Sequence, residues 1–205
     1  AVNIEQGPFG MHFDCKHNGE ILAHVELNEV GDPFMQDALG CFALAHMLGM
    51  PADLIVQGLK EYKGIARRFV INEVKDSVLV DDYAHHPTEM TATLKTAREM
   101  DFDRIICVFQ SHTYSRTKAL LPQFVEALKL CDKAIVADIY AAREKNTFGI
   151  SGKDIADQLD GGEYYPSFEQ IEARVREIAQ PNDLIITMGA GNINSIGPKL
   201  CVDAK

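Results

Sequence analysis

Hydrophobic and polar positions follow two different rhythms along the chain. From Met11 to Val30 β-forming residues dominate, and His17-Asn18-Gly19-Glu20 interrupts them with the Asn-Gly pair that a tight hairpin needs for positive φ. Two antiparallel strands are expected there. From Phe34 to Met50 the apolar positions Ala38, Phe42, Ala45 and Leu48 recur near helical spacing, and Gly49 before Pro51 marks a helix end. A shorter helix is expected from Ala52 to Tyr62. Gly64 then breaks the pattern, which places a domain boundary there and divides the chain into 1–64 and 65–205.

Beyond Gly64 short apolar runs alternate with amphipathic segments. The runs are Val78 to Val80, Ile105 to Phe109, Ala134 to Ala137 and Leu184 to Thr187. Thr88 to Met100, Lys118 to Leu130, Gly152 to Leu159 and Phe168 to Ala179 read as helices. This alternation predicts an α/β fold with a mostly parallel sheet and helices on both faces. In such sheets ligands bind beyond the carboxyl ends of the strands.

The residues just after each run are therefore informative. Val80 leads into Asp81-Asp82-Tyr83-Ala84-His85-His86-Pro87, and Phe109 into Gln110-Ser111-His112-Thr113-Tyr114-Ser115-Arg116-Thr117. The third run leads into Asp138-Ile139-Tyr140-Ala141-Ala142-Arg143-Glu144, and the fourth into Met188-Gly189-Ala190-Gly191-Asn192. Acids, imidazoles and guanidiniums thus gather at one edge of the sheet, a set suited to acid–base work and anion binding. Adjacent side chains diverge, so His85 and His86 argue against a shared metal ion, and no metal site is expected. Thr88 is expected to cap the helix that begins after Pro87, leaving the His pair for other work. His112 and Arg116 enter a helix, where a guanidinium and exposed N–H groups can hold a phosphate or carboxylate.

The Gly189-x-Gly191 turn lacks the third glycine of a dinucleotide fingerprint, Asn194 standing in its place, so it reads as close strand-to-helix packing. Arg67-Arg68 precedes a strand at the boundary, a position from which a guanidinium reaches toward a cleft, although one of the two would serve equally well as a solvated charge. No G-x-x-x-x-G-K-[ST] phosphate loop occurs.

Composition narrows the classes further. The 205 residues are 46% hydrophobic and 24% charged, with a formal net charge of −10, which repels a phosphate backbone unless basic residues segregate. They do not, so no nucleic-acid partner is expected. No apolar run approaches the roughly 18 residues that span a bilayer, and no secretory leader opens the sequence. Five scattered cysteines without a C-x-x-C pair fit a reducing, cytoplasmic setting. A first residue of Ala rather than Met permits a piece of a longer chain.

Taken in order, Arg67-Arg68-Phe69, Asp81 to Glu89, His112 to Thr117, Asp138 to Glu144 and Met188 to Ile193 resemble the motifs of the Mur ligase family. The resemblance implies a Rossmann-like C-terminal domain over 65–205, preceded over 1–64 by the α/β tail end of the central ATPase domain. It implies an ATP- and Mg2+-dependent amide ligase of peptidoglycan biosynthesis that joins L-alanine to UDP-N-acetylmuramate through an acyl phosphate, inactive as this piece alone. Carried over by position, Arg68, Asp82 and His85 would face the nucleotide. His112, Tyr114 and Arg116 would contact the amino acid and the sugar carboxylate, with His86 and Arg116 as the catalytic pair. Thr113 stands where many relatives have arginine, and Gly31-Asp32-Pro33-Phe34 replaces a usual Gly-x-His-Asn segment near the adenine. Two other readings stay open: a muropeptide-recycling ligase of the same family, and a non-catalytic nucleotide- or amino-acid-binding module.

Overall fold

In the computed structural model, which describes residues 1–7, 9–74 and 77–201, the chain divides into two compact units, Ala1–Ile65 and Ala66–Lys205.

The first unit is a three-stranded antiparallel sheet, β1 (Val2–Gln6), β2 (Met11–His17) and β3 (Glu20–Leu27), with helices α1 (Asp32–Met47) and α2 (Ala52–Glu61). Asn18 and Gly19 both adopt positive φ, 49° and 92°, the geometry that matches a two-residue turn to strand twist. Alternation puts Met11, Phe13 and Cys15 of β2 on the same face as Val25 and Leu27 of β3, where Met35, Ala38, Phe42 and Ile55 of the helices cover them. Helix α1 ends in a Schellman motif: Gly49, at φ 86°, donates to His46 O, and Met50 donates to Ala45 O. Strand β1 was not expected from the sequence, because it is short, with only Val2 and Ile4 apolar, and its three central residues are exposed.

The second unit is a six-stranded sheet in the order β4-β5-β9-β6-β7-β8. Its strands are β4 (Val70–Val74), β5 (Ser77–Asp82), β6 (Arg104–Phe109), β7 (Lys133–Ala137), β8 (Glu163–Tyr165) and β9 (Asp183–Met188). β4 is antiparallel to β5 and all other pairings are parallel. Every residue of β9 is buried, as expected of a central strand covered on both faces. On one face Ile106, Val108, Ile135 and Ile185 pack with Ile171 and Val175 of α7 (Phe168–Ile178). On the other, Phe109 meets Phe124 of α5 (Leu121–Leu128) at 5.4 Å between ring centroids, and α3 (Pro87–Arg98) lies beside α5.

Three expectations are corrected. The single helix expected over Lys118 to Leu130 is two, α4 (Tyr114–Ala119) and α5, broken at Leu120, with Pro122 in the first turn of α5. Thr88 does not cap α3. His86 does, its Nδ1 accepting from Thr88 N at 3.3 Å while Glu89 accepts from His86 N, because Pro87 at the first helical position puts the cap one residue before it. The segment from Gly152 to Leu159 holds only a four-residue helix, α6 (Lys153–Ala156).

At the amino edge of the sheet the carboxylate of Asp183, almost wholly buried, accepts from Arg104 Nε (2.9 Å), Arg104 Nη2 (2.6 Å) and Gln180 N (2.7 Å). This fork ties β6 to β9 at the end remote from the polar loops.

Candidate functional site

The site is built from the loops that leave β5, β6, β7 and β9. Parallel pairing continues past the strand ends: Tyr140 N donates to Ser111 O and Thr113 N to Tyr140 O, both at 2.9 Å, with a bridge between His112 and Tyr140. Thr113 is held at φ 69° by these contacts, a conformation that costs a non-glycine residue about 1–3 kcal/mol and persists only when the surroundings impose it. The hydroxyl of Thr117 adds a third tie, donating to Thr113 O at 2.7 Å and meeting Ser111 Oγ at 2.8 Å.

The Gly189 turn packs against this assembly. Gly189 has φ 146°, and a Cβ there would lie 2.4 Å from the backbone oxygen of Gln110. A Cβ at Gly191 would lie 2.2 Å from Gln110 Oε1 and 2.8 Å from Tyr140 Cβ. The two glycines therefore permit close approach between loops, and not the strand-to-helix packing expected of them.

Arg67 and Arg68 take different places. Arg67, at φ 62°, sends Nη2 to Gly189 O at 2.6 Å and stacks its guanidinium 4.9 Å from the Tyr83 ring centroid. Its Nε lies 3.5 Å from Asp81 Oδ2, near enough for charge attraction but without hydrogen-bond alignment. Burial raises the Asp81 carboxyl above its ordinary range, opposed by Thr187 and Arg67. Arg68 is more open, with Nη1 3.8 Å from Glu89 Oε1.

Asp82 is buried and works for the backbone. Oδ2 accepts from Phe69 N at 2.9 Å and Oδ1 from Ala84 N at 2.6 Å, while burial raises its pKa against those two bonds. His85 Nδ1 sits 3.1 Å from Tyr83 O and 3.3 Å from Glu89 Oε2. Its ring approaches that of His112 edge-on at 6.1 Å, whereas His86 is exposed at the start of α3. His112 stacks on Tyr140 at 5.5 Å. Burial, then the neighbouring Arg116 and His85, hold the His112 imidazole below its usual pKa. Tyr114 opens α4 and Arg116 lies within its first turn.

Among the described residues, the buried side-chain nitrogens and oxygens without a hydrogen-bond partner are Arg67 Nε, Gln110 Oε1, His112 Nδ1 and Arg116 Nη1. All four belong to this one edge. Buried polar groups are nearly always satisfied, so such a gathering marks a place built for something besides stability. Two cationic groups and an imidazole there form a donor set for an oxyanion. Among the described residues no cluster of three or more His, Cys, Asp or Glu is arranged to hold a metal ion, and no helix is long and apolar enough to cross a membrane.

The structure thus brings His85, His112 and Arg116 together, with Tyr114 beside them, and gives Asp82 and His86 local structural bonds. Gln110, Tyr140 and Glu144 join the site without having been singled out individually. Their signal was present, since each lies in a polar run directly after a buried strand.

A family model described as the Mur ligase, glutamate ligase domain matches residues 66–191. The UDP-N-acetylmuramate–L-alanine ligase of Agathobacter rectalis is 45% identical over 193 residues, covering 92% of this chain and 42% of its own. Its namesake from Caldicellulosiruptor bescii is 45% identical over 200 residues, covering 95% and 44%. The chain spans less than half the length of these curated relatives. Among solved structures, the UDP-N-acetylmuramate-alanine ligase MurC of Thermotoga maritima is similar with a TM-score of 0.77 and 25% identity, covering 96% of this chain and 44% of that one. MurF of Acinetobacter baumannii shares the fold, with a TM-score of 0.75 at 16% identity over 97% of this chain and 44% of its own.

Proposed function

The chain belongs to the Mur ligase family, and from that premise we propose that it is the C-terminal part of an ATP-dependent ligase joining L-alanine to UDP-N-acetylmuramate in peptidoglycan biosynthesis. In this reading residues 65–205 belong to the C-terminal domain and residues 1–64 to the ATPase domain that precedes it. The choice of L-alanine is supported by the names of the relatives that are 41–45% identical over most of the chain.

The observation that carries the reading is the pair of buried, unpartnered nitrogens His112 Nδ1 and Arg116 Nη1 at the carboxyl ends of parallel strands, Arg116 a donor and His112 a donor in the tautomer that carries its proton on Nδ1. Amide formation from an activated carboxylate and an amine passes through a tetrahedral oxyanion, and donors already in place for it supply the largest single catalytic term. Arg116, with a planar fork, takes the amino-acid carboxylate. His112 and Tyr114 orient the amine and the sugar carboxylate, and His86 serves proton transfer. Arg68 and His85 face the nucleotide, over a turn whose shape Asp82 fixes through its two backbone bonds. ATP and Mg2+ supply the phosphoryl group and its charge compensation when bound. Because the sequence has no phosphate loop, their main cradle belongs to another part of the parent protein, and the isolated chain is expected to release no phosphate. In this reading the parent works in the cytoplasm, which five scattered cysteines without a C-x-x-C pair support.

The test is phosphate release by the full-length parent with ATP, Mg2+, UDP-N-acetylmuramate and L-alanine, glycine or L-serine. Turnover that requires L-alanine, and falls by about 10²–10³-fold in Arg116→Ala, is the expected result. A folded parent that is silent with all three amino acids refutes it.

A further inference from the structure

Glu144, which the proposed function leaves unused, touches the site from the loop after β7. The chain turns at Ala142, held at φ 51°, and Glu144 N donates to Ala141 O at 2.9 Å, which brings the side chain back over the start of α4. There Oε2 accepts from Ser115 N at 2.9 Å and Oε1 from Ser115 Oγ at 2.5 Å.

This contact fills a gap left by the local sequence. A helix as short as α4 is unstable by itself, and its first N–H groups need partners. Ordinarily the N-cap side chain supplies one, but Thr113 occupies that position in a left-handed conformation and makes no side-chain cap bond. We propose that Glu144 is the positioning residue of this site: its carboxylate, 29 residues away in sequence, caps α4 in place of Thr113 and so fixes where Arg116 stands relative to His112.

The inference rests on the reading that His112 and Arg116 form the site, but not on which reaction they serve. Glu144 lies within electrostatic reach of His112 and favours its protonated form, opposing Arg116 and His85. The groups that face the imidazole are therefore Arg116 from α4, His85 from the loop after β5, and Tyr140 and Glu144 from the loop after β7. Hydrogen bonds from Ser115 in turn hold the Glu144 carboxyl below its ordinary range.

The experiment uses the 205-residue chain, needs no ligase activity, and compares Glu144→Ala and Glu144→Gln by amide hydrogen exchange and by NMR titration of His112. In Glu144→Ala, exchange at Ser115 N–H should rise on the order of tenfold, the effect of losing one N-cap, while β9 amides stay protected. Glu144→Gln retains an acceptor and should show a smaller rise. Both variants remove the negative charge, so both should lower the His112 pKa, a change that a purely packing role would not produce. Unchanged Ser115 exchange and an unchanged His112 titration overturn the proposal, as does loss of β9 protection in both variants, which would make Glu144 a general stabiliser. Should the positioning result hold while the parent shows no L-alanine-dependent turnover, the proposed reaction fails and the assignment of Glu144 stands.

Discussion

Substituting Gly189 by alanine tests the loop packing directly. Two costs add at this position. At φ 146° an L-residue enters a region that only glycine occupies freely, at roughly 1–3 kcal/mol. The new Cβ would also stand 2.4 Å from the Gln110 backbone oxygen. Relief by shifting Gln110 is blocked, because Gln110 N donates to Met188 O, Gly189 N donates to Asp82 O, and Arg67 Nη2 donates to Gly189 O. Overpacking of this kind typically costs about 1–3 kcal/mol, giving about 2–6 kcal/mol together. For a unit of about 140 residues, with roughly 2.1 cal/mol/K of unfolding entropy per residue, that lowers the melting temperature by about 7–20 °C. Gly161 supplies the control: it also has positive φ, 64°, yet a Cβ there meets nothing within 4 Å, so Gly161→Ala isolates the backbone cost at ~1 kcal/mol, or about 3 °C. Calorimetry of the two variants and the parent chain decides. A Gly189→Ala melting temperature within about 3 °C of the Gly161→Ala value would refute the claim that close loop approach requires this glycine.

Two further predictions concern parts of the sheet away from the site. Hydrogen bonds from Arg174, then Lys133 and Tyr165, depress the Glu163 carboxyl from 4.5 to about 2. A depressed carboxylate stabilises the fold above its unfolded pKa, and that contribution disappears as pH falls from about 4.5 to about 2; at full strength the shift equals roughly 3 kcal/mol, and screening at its exposed edge reduces this to ~1–2 kcal/mol. Urea melts at pH 7 and pH 2.5 should show Glu163→Gln weaker than the parent at the higher pH, with the gap largely closed at the lower one; an equal gap at both would remove the electrostatic account. Asp183→Ala leaves Gln180 N without its acceptor and Arg104 with only its bond to Ile178 O, and since Arg104 is partly exposed the loss should be about 1–3 kcal/mol by denaturant titration, whereas a loss under about 0.5 kcal/mol would show that solvent replaces the fork.

How much of this was legible in the sequence depends on burial. β5, β6, β7 and β9 are apolar on both faces, so each stood out as a short hydrophobic run between helices. β1 and β8 did not, since β1 is largely exposed and the three residues of β8 are half-buried and polar at their tips. The family resemblance pointed to residues that gather at one edge of the sheet, but the bonds they make there depend on backbone groups that residue types do not disclose. Asp82 reads as a free carboxylate until Phe69 N and Ala84 N are seen to use it. His86 also caps α3, a use that Pro87 signalled by marking where the helix begins. Pro122 likewise carried the break between α4 and α5. Glu144 could not have been linked to Ser115 from spacing, because the turn at Ala142 that joins them uses positive φ at an alanine.

The placement of β9 sets the order in which the second unit can assemble. β5 and β6 are not hydrogen-bonded to each other; both pair with β9, the last strand among the described residues. Ribosomal synthesis therefore delivers β4, β5 and α3, then β6, β7 and β8, as two ladders whose inner edges must wait for residues 183–188. Until then those edges expose apolar strands with unpaired backbone groups, the surface that invites pairing with other chains. Closure requires contacts separated by about a hundred residues, and such topologies fold slowly. The loops after β6 and β7 reach register through their own pairing, whereas those after β5 and β9 join them only when this strand enters, so the completed site is a late product of assembly.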